Sequence, residues 1–363
     1  MTATSDTRSG DDAGGTPLRF DPGELRSFAA GVLHVAGMPR DRAEVVAEGL
    51  VEADLYGHTT HGLALLAEYV EEVESGEMAV EGEPEVIASR GASACWDARR
   101  LPGIWVTARA LAEACDRADE FGVGSVAIRR SHHIGCLASF IEAPARRGHL
   151  VLVLSSDPSD AMVAPFGGTT AVMTPNPIAA GIPTGGDPIL LDISMSITTA
   201  GMSARQRARG ERLPGQWLID AEGRPSDDPE VLGNGGALLP IGGLDHGHKG
   251  FALGLLVEAL TQGLSGFGRA DEPTGWGAGV LVLAFAPDGF GGGGAFARQM
   301  DRLAETCLAS SPVNADRSVR LPGQLALARK AAALRDGLEL FAEIPSELHA
   351  LAERLGHPPP AAR

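Results

Sequence analysis

The sequence predicts an α/β protein, with helices gathered at both ends of the chain and short strands between them. Three observations carry this. Apolar residues recur at helical spacing from Asp21 to Ser75, the pattern changes to short apolar runs punctuated by Gly and Pro from Pro84, and helical spacing returns after Ala295. Residues 1–17 are Ser, Thr, Gly and Asp with almost no apolar content, and read as a disordered tail rather than a secretory leader. Asp21-Pro22-Gly23-Glu24 is a capping-box start, with Asp21 as the cap and Pro22 at the first helical position. That helix runs to about Val35, Pro39 opens a second, and Ser75-Gly76 closes a third.

Beyond Pro84, Val86–Ser89 and Ala92–Trp96 form a hairpin about Arg90-Gly91. Ile104–Phe121 is an amphipathic helix with Ala108, Leu111, Cys115 and Ala118 on one stripe. Strands follow at Val123–Ile128, Leu150–Leu154, Ala171–Met173, Ile178–Ile182 and Ile189–Ile193, with a helix over Ile134–Arg147. Ser194–Arg209 is helical and contains Arg205 and Arg207, the most basic segment of the chain. Residues 210–247 form a long loop, Gly250–Leu264 a strongly apolar helix, and Val280–Phe285 a central strand. Gly289–Gly294 is a mobile glycine loop before a helix over Ala295–Leu308. Helices at about Leu325–Arg335 and Ser346–Leu355 end the chain, and residues 358–363 are a fraying tail.

Composition excludes several function classes. A net charge of −17 disfavours nucleic acid and anionic membranes, both of which need basic surface. No apolar run approaches a membrane span. Cys95, Cys115, Cys136 and Cys307 are scattered with no CxxC pair, as expected of reduced thiols in a cytoplasmic protein.

The stretch Ala53–Tyr69, ADLYGHTTHGLALLAEY, holds the strongest candidate residue. Gly57 breaks one helix, and His61 then sits in the first turn of the next, with Thr59 or Thr60 as its N-cap. The positive helix end lowers the pKa of such a histidine, and a partner carboxylate raises it. That balance suits proton transfer, although a solvated histidine after a turn explains the same residues more plainly. A dinucleotide fingerprint is lacking. Gly122-Val-Gly-Ser-Val-Ala127 matches GxGxxA in letters, but it leaves a helix and enters a strand, the reverse of a phosphate-binding turn. Gly275-Trp-Gly-Ala-Gly279 also precedes a strand.

Asp54-Leu55-x-Gly57, a hydroxyl at Thr60, then His61-Gly62 and a helix carrying Tyr69-Val70 resemble the malate/L-lactate dehydrogenase family, which is distinct from the usual lactate and malate dehydrogenases. Five further segments match in order: Ser131-His132-His133-Ile134-Gly135, Ala164–Gly168, Asn176-Pro177-Ile178 with Ile182-Pro183-Thr184, Leu191-Asp192-Ile193-Ser194, and Asp245–Gly250, with an outlying match at Leu321-Pro322-Gly323. The resemblance implies a non-Rossmann fold with a mixed, largely antiparallel sheet flanked by helices. It implies a helical substrate and dimer subdomain (18–83 plus about 324–357) and an NAD(P)-binding subdomain (84–323). It also implies a homodimer that uses NAD(H) or NADP(H) to reduce 2-oxo acids or cyclic imines. His61 becomes the proton donor, with Thr60 and Asp192 orienting it. Cofactor contacts fall on Ser131, His133, Ile134, Gly135, Ser156, Asp192, Ile193, Ser194, His248, Lys249, Gly250, Pro322 and Gly323. Asp192 alternatively caps the next helix.

Departures from the family pattern are equally informative. The arginines expected after Asp54-Leu55 and four residues after the histidine are Tyr56 and Leu65, and a threonine before Asn176 is Pro175. Arginine grips carboxylates bidentately, and losing one charge-assisted pair costs about 1.5–3 kcal/mol. With Tyr56, Leu65 and Pro175 in the pocket, the expected substrate is less anionic or bulkier than pyruvate. Two other classes remain: a metal-dependent hydrolase built on Asp245, His246 and His248, which no HExxH or Cys pair supports, and a non-catalytic cofactor-binding protein.

Overall fold

The computed structural model describes residues 18–363; the tail expected over residues 1–17 lies outside them. The chain opens with β1 (Arg19–Phe20), α1 (Pro22–Val35), α2 (Arg40–Tyr56) and α3 (Leu66–Ser75). Asp21 caps α1 as expected, its Oδ1 accepting from the amides of Gly23 at 2.8 Å and Glu24 at 3.2 Å. Gly57, at φ +88°, ends α2 in the left-handed region that a side chain disfavours.

The hairpin β2 (Glu85–Arg90) and β3 (Ser93–Asp97) follows, then α4 (Gly103–Phe121), β4 (Val123–Ser131), α5 (Ala138–Arg146), β5 (Leu150–Ser156), β6 (Ile178–Ile182), β7 (Ile189–Ile193) and α6 (Ala200–Ala208). The expected strand at Ala171–Met173 is only a bridge between Val163 and Met173. The helix expected from Ile134 starts four residues later, and that expected from Ser194 starts at Ala200, where Thr199 caps it. In each case the freed residues form a loop that faces the cavity described below.

Residues 210–247 are not a bare loop. They hold β8 (Leu218–Ile219), β9 (Pro225–Ser226), β10 (Ala237–Leu238) and α7 (Gly243–His246). Then come α8 (His248–Glu258), β11 (Ala278–Phe285), α9 (Gly293–Leu308), α10 (Gln324–Asp336), β12 (Leu338–Glu339) and α11 (Ile344–Leu355). Two glycines of the expected glycine loop, Gly293 and Gly294, form the first turn of α9.

Seven strands form one sheet in the order β2-β3-β4-β11-β5-β6-β7. Only β3 and β4 run parallel; every other neighbouring pair is antiparallel. The one parallel crossover, β3–α4–β4, passes from strand to helix through Ala98-Arg99-Arg100-Leu101-Pro102, which lacks the glycines of a dinucleotide-binding turn. Gly122 instead ends α4 at φ +83° and leads straight into β4. One continuous apolar core joins the N-terminal helices, α10, α11, α4 and the sheet, through residues such as Leu50, Leu66, Ile104, Ile128 and Leu348. No described helix is long and apolar enough to cross a membrane.

Candidate active site

The turn between α2 and α3 is built on a buried carboxylate. Asp54, at the end of α2, accepts the Leu63 amide at 2.7 Å on Oδ2. A Cβ at Gly62 would lie 2.3 Å from that oxygen, which explains why glycine follows His61. Burial pushes the Asp54 carboxyl up to about 7, against the Leu63 hydrogen bond and the charge of Arg205. Asp54, rather than Thr59 or Thr60, therefore serves this turn. His61 precedes a short 3-10 turn (Leu63–Leu65) instead of opening a helix, because the carboxylate nine residues back supplies the acceptor.

Thr60 has a different task. Its Oγ1 lies 2.8 Å from His61 Nδ1, fixing the ring. Burial lowers the His61 imidazole to about 4, with the charges of His58 and Arg205 adding to the effect. The expected contest between helix end and carboxylate is thus replaced by desolvation. His133 faces it, with ring centroids 5.9 Å apart. The Tyr69 hydroxyl is 2.7 Å from His133 Nδ1, and burial lowers this imidazole to about 3, helped by the neighbouring His61 and His132. Trp276 packs against His133, ring centroids 4.8 Å apart, and its indole N–H donates to Glu72 at 2.9 Å.

These groups line a cavity of about 350 Å³. Of the residues expected in the site, His61, Thr60, Asp192, His133, Ile134, Gly135, Ser156, Ser194 and Pro175 line it. The others do not. Ser131 is buried, its hydroxyl donating to the His132 carbonyl at 2.9 Å, and it caps no helix. Ile193 points outward at 41% exposure. His248 and Lys249 are exposed in the first turn of α8, and Gly250 packs against the Ile241 backbone. Pro322 and Gly323 sit against Leu190.

Asp192 does not hydrogen-bond to His61. Its Oδ2 accepts the Ala138 amide at 2.9 Å, at the start of α5, with Cys136 Sγ at 3.6 Å. It therefore serves α5, not the helix that follows it in sequence. Burial raises the Asp192 carboxyl despite the nearby His58 charge.

Neither Tyr56 nor Leu65 lines the cavity. The Tyr56 hydroxyl donates to Glu142, and Lys330 bridges Glu142 at 2.7 Å and Glu52. A tyrosine at the end of α2 finds that buried acid on α5 within reach, so it turns away from the cavity. Leu65 packs on the core. Arg205 and Arg207 do not substitute for a clamp. Both terminal nitrogens of Arg205 donate to Thr59, at 2.7 and 2.8 Å, and Arg207 pairs with Glu230 at 3.0 Å.

Among the described residues, the cavity is thus lined by three histidines and three aspartates (Asp157, Asp160, Asp192) with no lysine or arginine. His58, Cys136, Asp157, Thr174 and Trp276 belong to it although the sequence motifs passed over them. Several are chain neighbours of motif residues: Cys136 follows Gly135, Asp157 follows Ser156, and Thr174 precedes Pro175. Thr174 does not replace the hydroxyl missing at Pro175, because its Oγ1 donates to Asn176 Oδ1 at 2.8 Å and accepts the Asp157 amide at 3.1 Å. Asp245, His246 and His248 form no ligand cluster. Among the described residues, the only set of three metal-ligating side chains with atoms within 4.8 Å of one another is His58, Cys136 and Asp192.

One group on the cavity wall suits a nicotinamide cofactor. Asp157 Oδ2 is buried with no hydrogen-bond partner, although Ser159 holds Oδ1, so it has a vacant acceptor for a ribose hydroxyl or an amide.

The family model described as malate/L-lactate dehydrogenase matches residues 20–349. The (2R)-3-sulfolactate dehydrogenase (NADP(+)) of Chromohalobacter salexigens is 34% identical over 340 residues, 91% of this chain and 96% of its own. The malate dehydrogenase of Pyrococcus horikoshii superposes with TM-score 0.85 at 26% identity, covering 96% of this chain and 99% of that one. The delta1-piperideine-2-carboxylate reductase of Pseudomonas syringae does so with TM-score 0.80 at 29% identity, over 93% and 98%. A match of this extent, on a chain whose histidine turn and non-Rossmann sheet were already in view, means that the protein belongs to the malate/L-lactate dehydrogenase family of NAD(P)-dependent oxidoreductases.

Proposed function

We propose that this dehydrogenase reduces the C=O or C=N bond of a substrate less anionic or bulkier than pyruvate, and that His61 transfers the proton. The observation that carries this is the cavity wall: His61 held by Thr60 in a space lined by carboxylates and imidazoles, with no lysine or arginine among the described residues. A small 2-oxo acid anion finds no bidentate partner there, while a neutral carbonyl or a cationic imine is electrostatically favoured. The reduced nicotinamide, when bound, supplies the hydride. His61 in its protonated form gives a proton to the developing alkoxide or amine, and its neutral form accepts one in the reverse reaction. His133, pinned by Tyr69 and Trp276, shapes the cavity beside it. Ile134, Gly135, Ser156 and Ser194 are the cofactor-side wall, and Asp157 offers the open acceptor. Lys249, Pro322 and Gly323 lie away from this wall and have no assigned contact in this reading.

The division of labour follows the chain. Residues 18–83 with about 324–357 supply the histidine turn, and residues 84–323 supply the cofactor side. A homodimer is part of the proposal, supported by α8, which leaves Leu253, Leu255 and Leu256 at 41–50% exposure. A cytoplasmic location is supported by four free cysteines.

The test is NADH and NADPH oxidation with a panel containing pyruvate, 2-oxo esters and amides, and cyclic imines. Faster turnover of the uncharged or imine members supports the reading; pyruvate as the best substrate overturns it. Light scattering on the purified protein reads the dimer directly.

A further inference from the structure

We infer that His58, Cys136 and Asp192 form a binding site for a borderline-soft divalent cation such as Zn²⁺ on the wall of the cavity. The three come from separate elements: the turn after α2, the loop between β4 and α5, and strand β7. Their ligand atoms lie within 4.8 Å of one another, and Cys136 Sγ is 3.6 Å from Asp192 Oδ2. A tetrahedral zinc with thiolate, imidazole and carboxylate ligands holds those atoms roughly 3.3–3.8 Å apart, so the Cys136–Asp192 pair already matches and His58, within 4.8 Å of both, completes the set by a side-chain adjustment. The donor types fit as well, since sulfur, nitrogen and oxygen together select zinc or cobalt over magnesium or calcium.

Two further features favour the ion. The Ala138 amide holds Asp192 Oδ2 at 2.9 Å, orienting the carboxylate as an outer partner does in built metal sites. The surrounding wall carries Asp157 and Asp160 and, among the described residues, no lysine or arginine, so its field attracts a cation. Binding displaces the Cys136 thiol proton to solvent, and the Cys136 sulfur, one His58 ring nitrogen and one Asp192 oxygen fill three positions. The fourth faces the cavity and takes water. An ion there occupies space beside His61, so Zn²⁺ also competes with cavity ligands; this consequence rests on the function proposed above.

Cobalt titration of the full chain tests the site without reference to turnover. One equivalent of Co²⁺ should bind with a near-ultraviolet thiolate charge-transfer band, and Zn²⁺ should remove that band stoichiometrically. Cys136→Ser should abolish the band, and His58→Gln should weaken Co²⁺ binding at least tenfold. No band at saturating Co²⁺, or a band that survives Cys136→Ser, overturns the site. Inhibition of NAD(P)H oxidation by Zn²⁺, reversed by a chelator and at least tenfold weaker in His58→Gln, supports the competition. A full band with undiminished turnover refutes the competition and leaves the site standing.

Discussion

Two buried polar regions lie on either side of α5 and respond to burial in opposite ways. At the junction of α2, α5 and α10, Glu142 is surrounded by donors: Lys330, Tyr56 and Arg146. Burial alone would raise its carboxyl, but these hydrogen bonds hold it at about 2. In the cavity, Asp192 accepts only an amide and a thiol and is raised, while His61 and His133 fall to about 4 and 3. Burial is common to both regions; what differs is whether opposite charge was buried too. The first region is a structural clasp. The second leaves its titratable groups free for chemistry, as expected where perturbed pKa values mark a site.

Mutating each region should separate the two. The largest effect expected is at His61. His61→Ala should lower kcat about 10²–10⁴-fold while cofactor binding, followed by fluorescence titration, is retained; unchanged turnover would refute the assignment. In the clasp, Lys330→Met leaves Glu52 and Glu142 without their shared cation. It should cost about 3–5 kcal/mol of stability by denaturant unfolding, with kcat per folded molecule preserved. A loss of kcat instead would join the clasp to the chemistry and erase the contrast.

The pH dependence sharpens it further. Reduction needs protonated His61, whose pKa is about 4, so kcat/KM for reduction should rise about tenfold per unit as pH falls from 7 toward 5. Oxidation of the alcohol or amine should be flat over that range and fall only near pH 4. Stability follows separate windows. The two imidazoles are depressed in the folded state, so the unfolded chain binds more protons and stability falls as pH drops from about 6.5 toward 4. The Glu142 contribution is present above about 4.5 and is lost as pH falls toward 2. Unfolding midpoints measured against pH should show a reduced upper window in His133→Gln, with the His61 share remaining, and loss of the lower window in Glu142→Gln. The smallest effect expected is on substrate choice at Leu65, which packs on the core and off the cavity wall: Leu65→Arg should leave kcat/KM for pyruvate-like acids without a gain.

Some features were legible because they are local. The Asp21 cap, the helix ending at Gly57, the hairpin at Arg90-Gly91, and β6 and β7 all follow from spacing, caps and turn residues read over a dozen positions. The reversed glycine motif at Gly122 excluded a Rossmann turn for the same reason. Helices α5 and α6 begin later than Ile134 and Ser194, because Asp192 receives the Ala138 amide, Thr199 caps the helix at Ala200, and the residues before each face the cavity.

By itself, the sequence determined the fold class, the family and the histidine of the turn, because motif order and apolar period are written along the chain. Only the tertiary structure decided what each polar side chain meets. Tyr56 found Glu142 86 residues away, Asp192 found Cys136 56 residues earlier, and Arg205 found Thr59 across 146. The charge state of a buried group depends on such distant partners, so no reading of neighbours in sequence could have separated the clasp from the cavity.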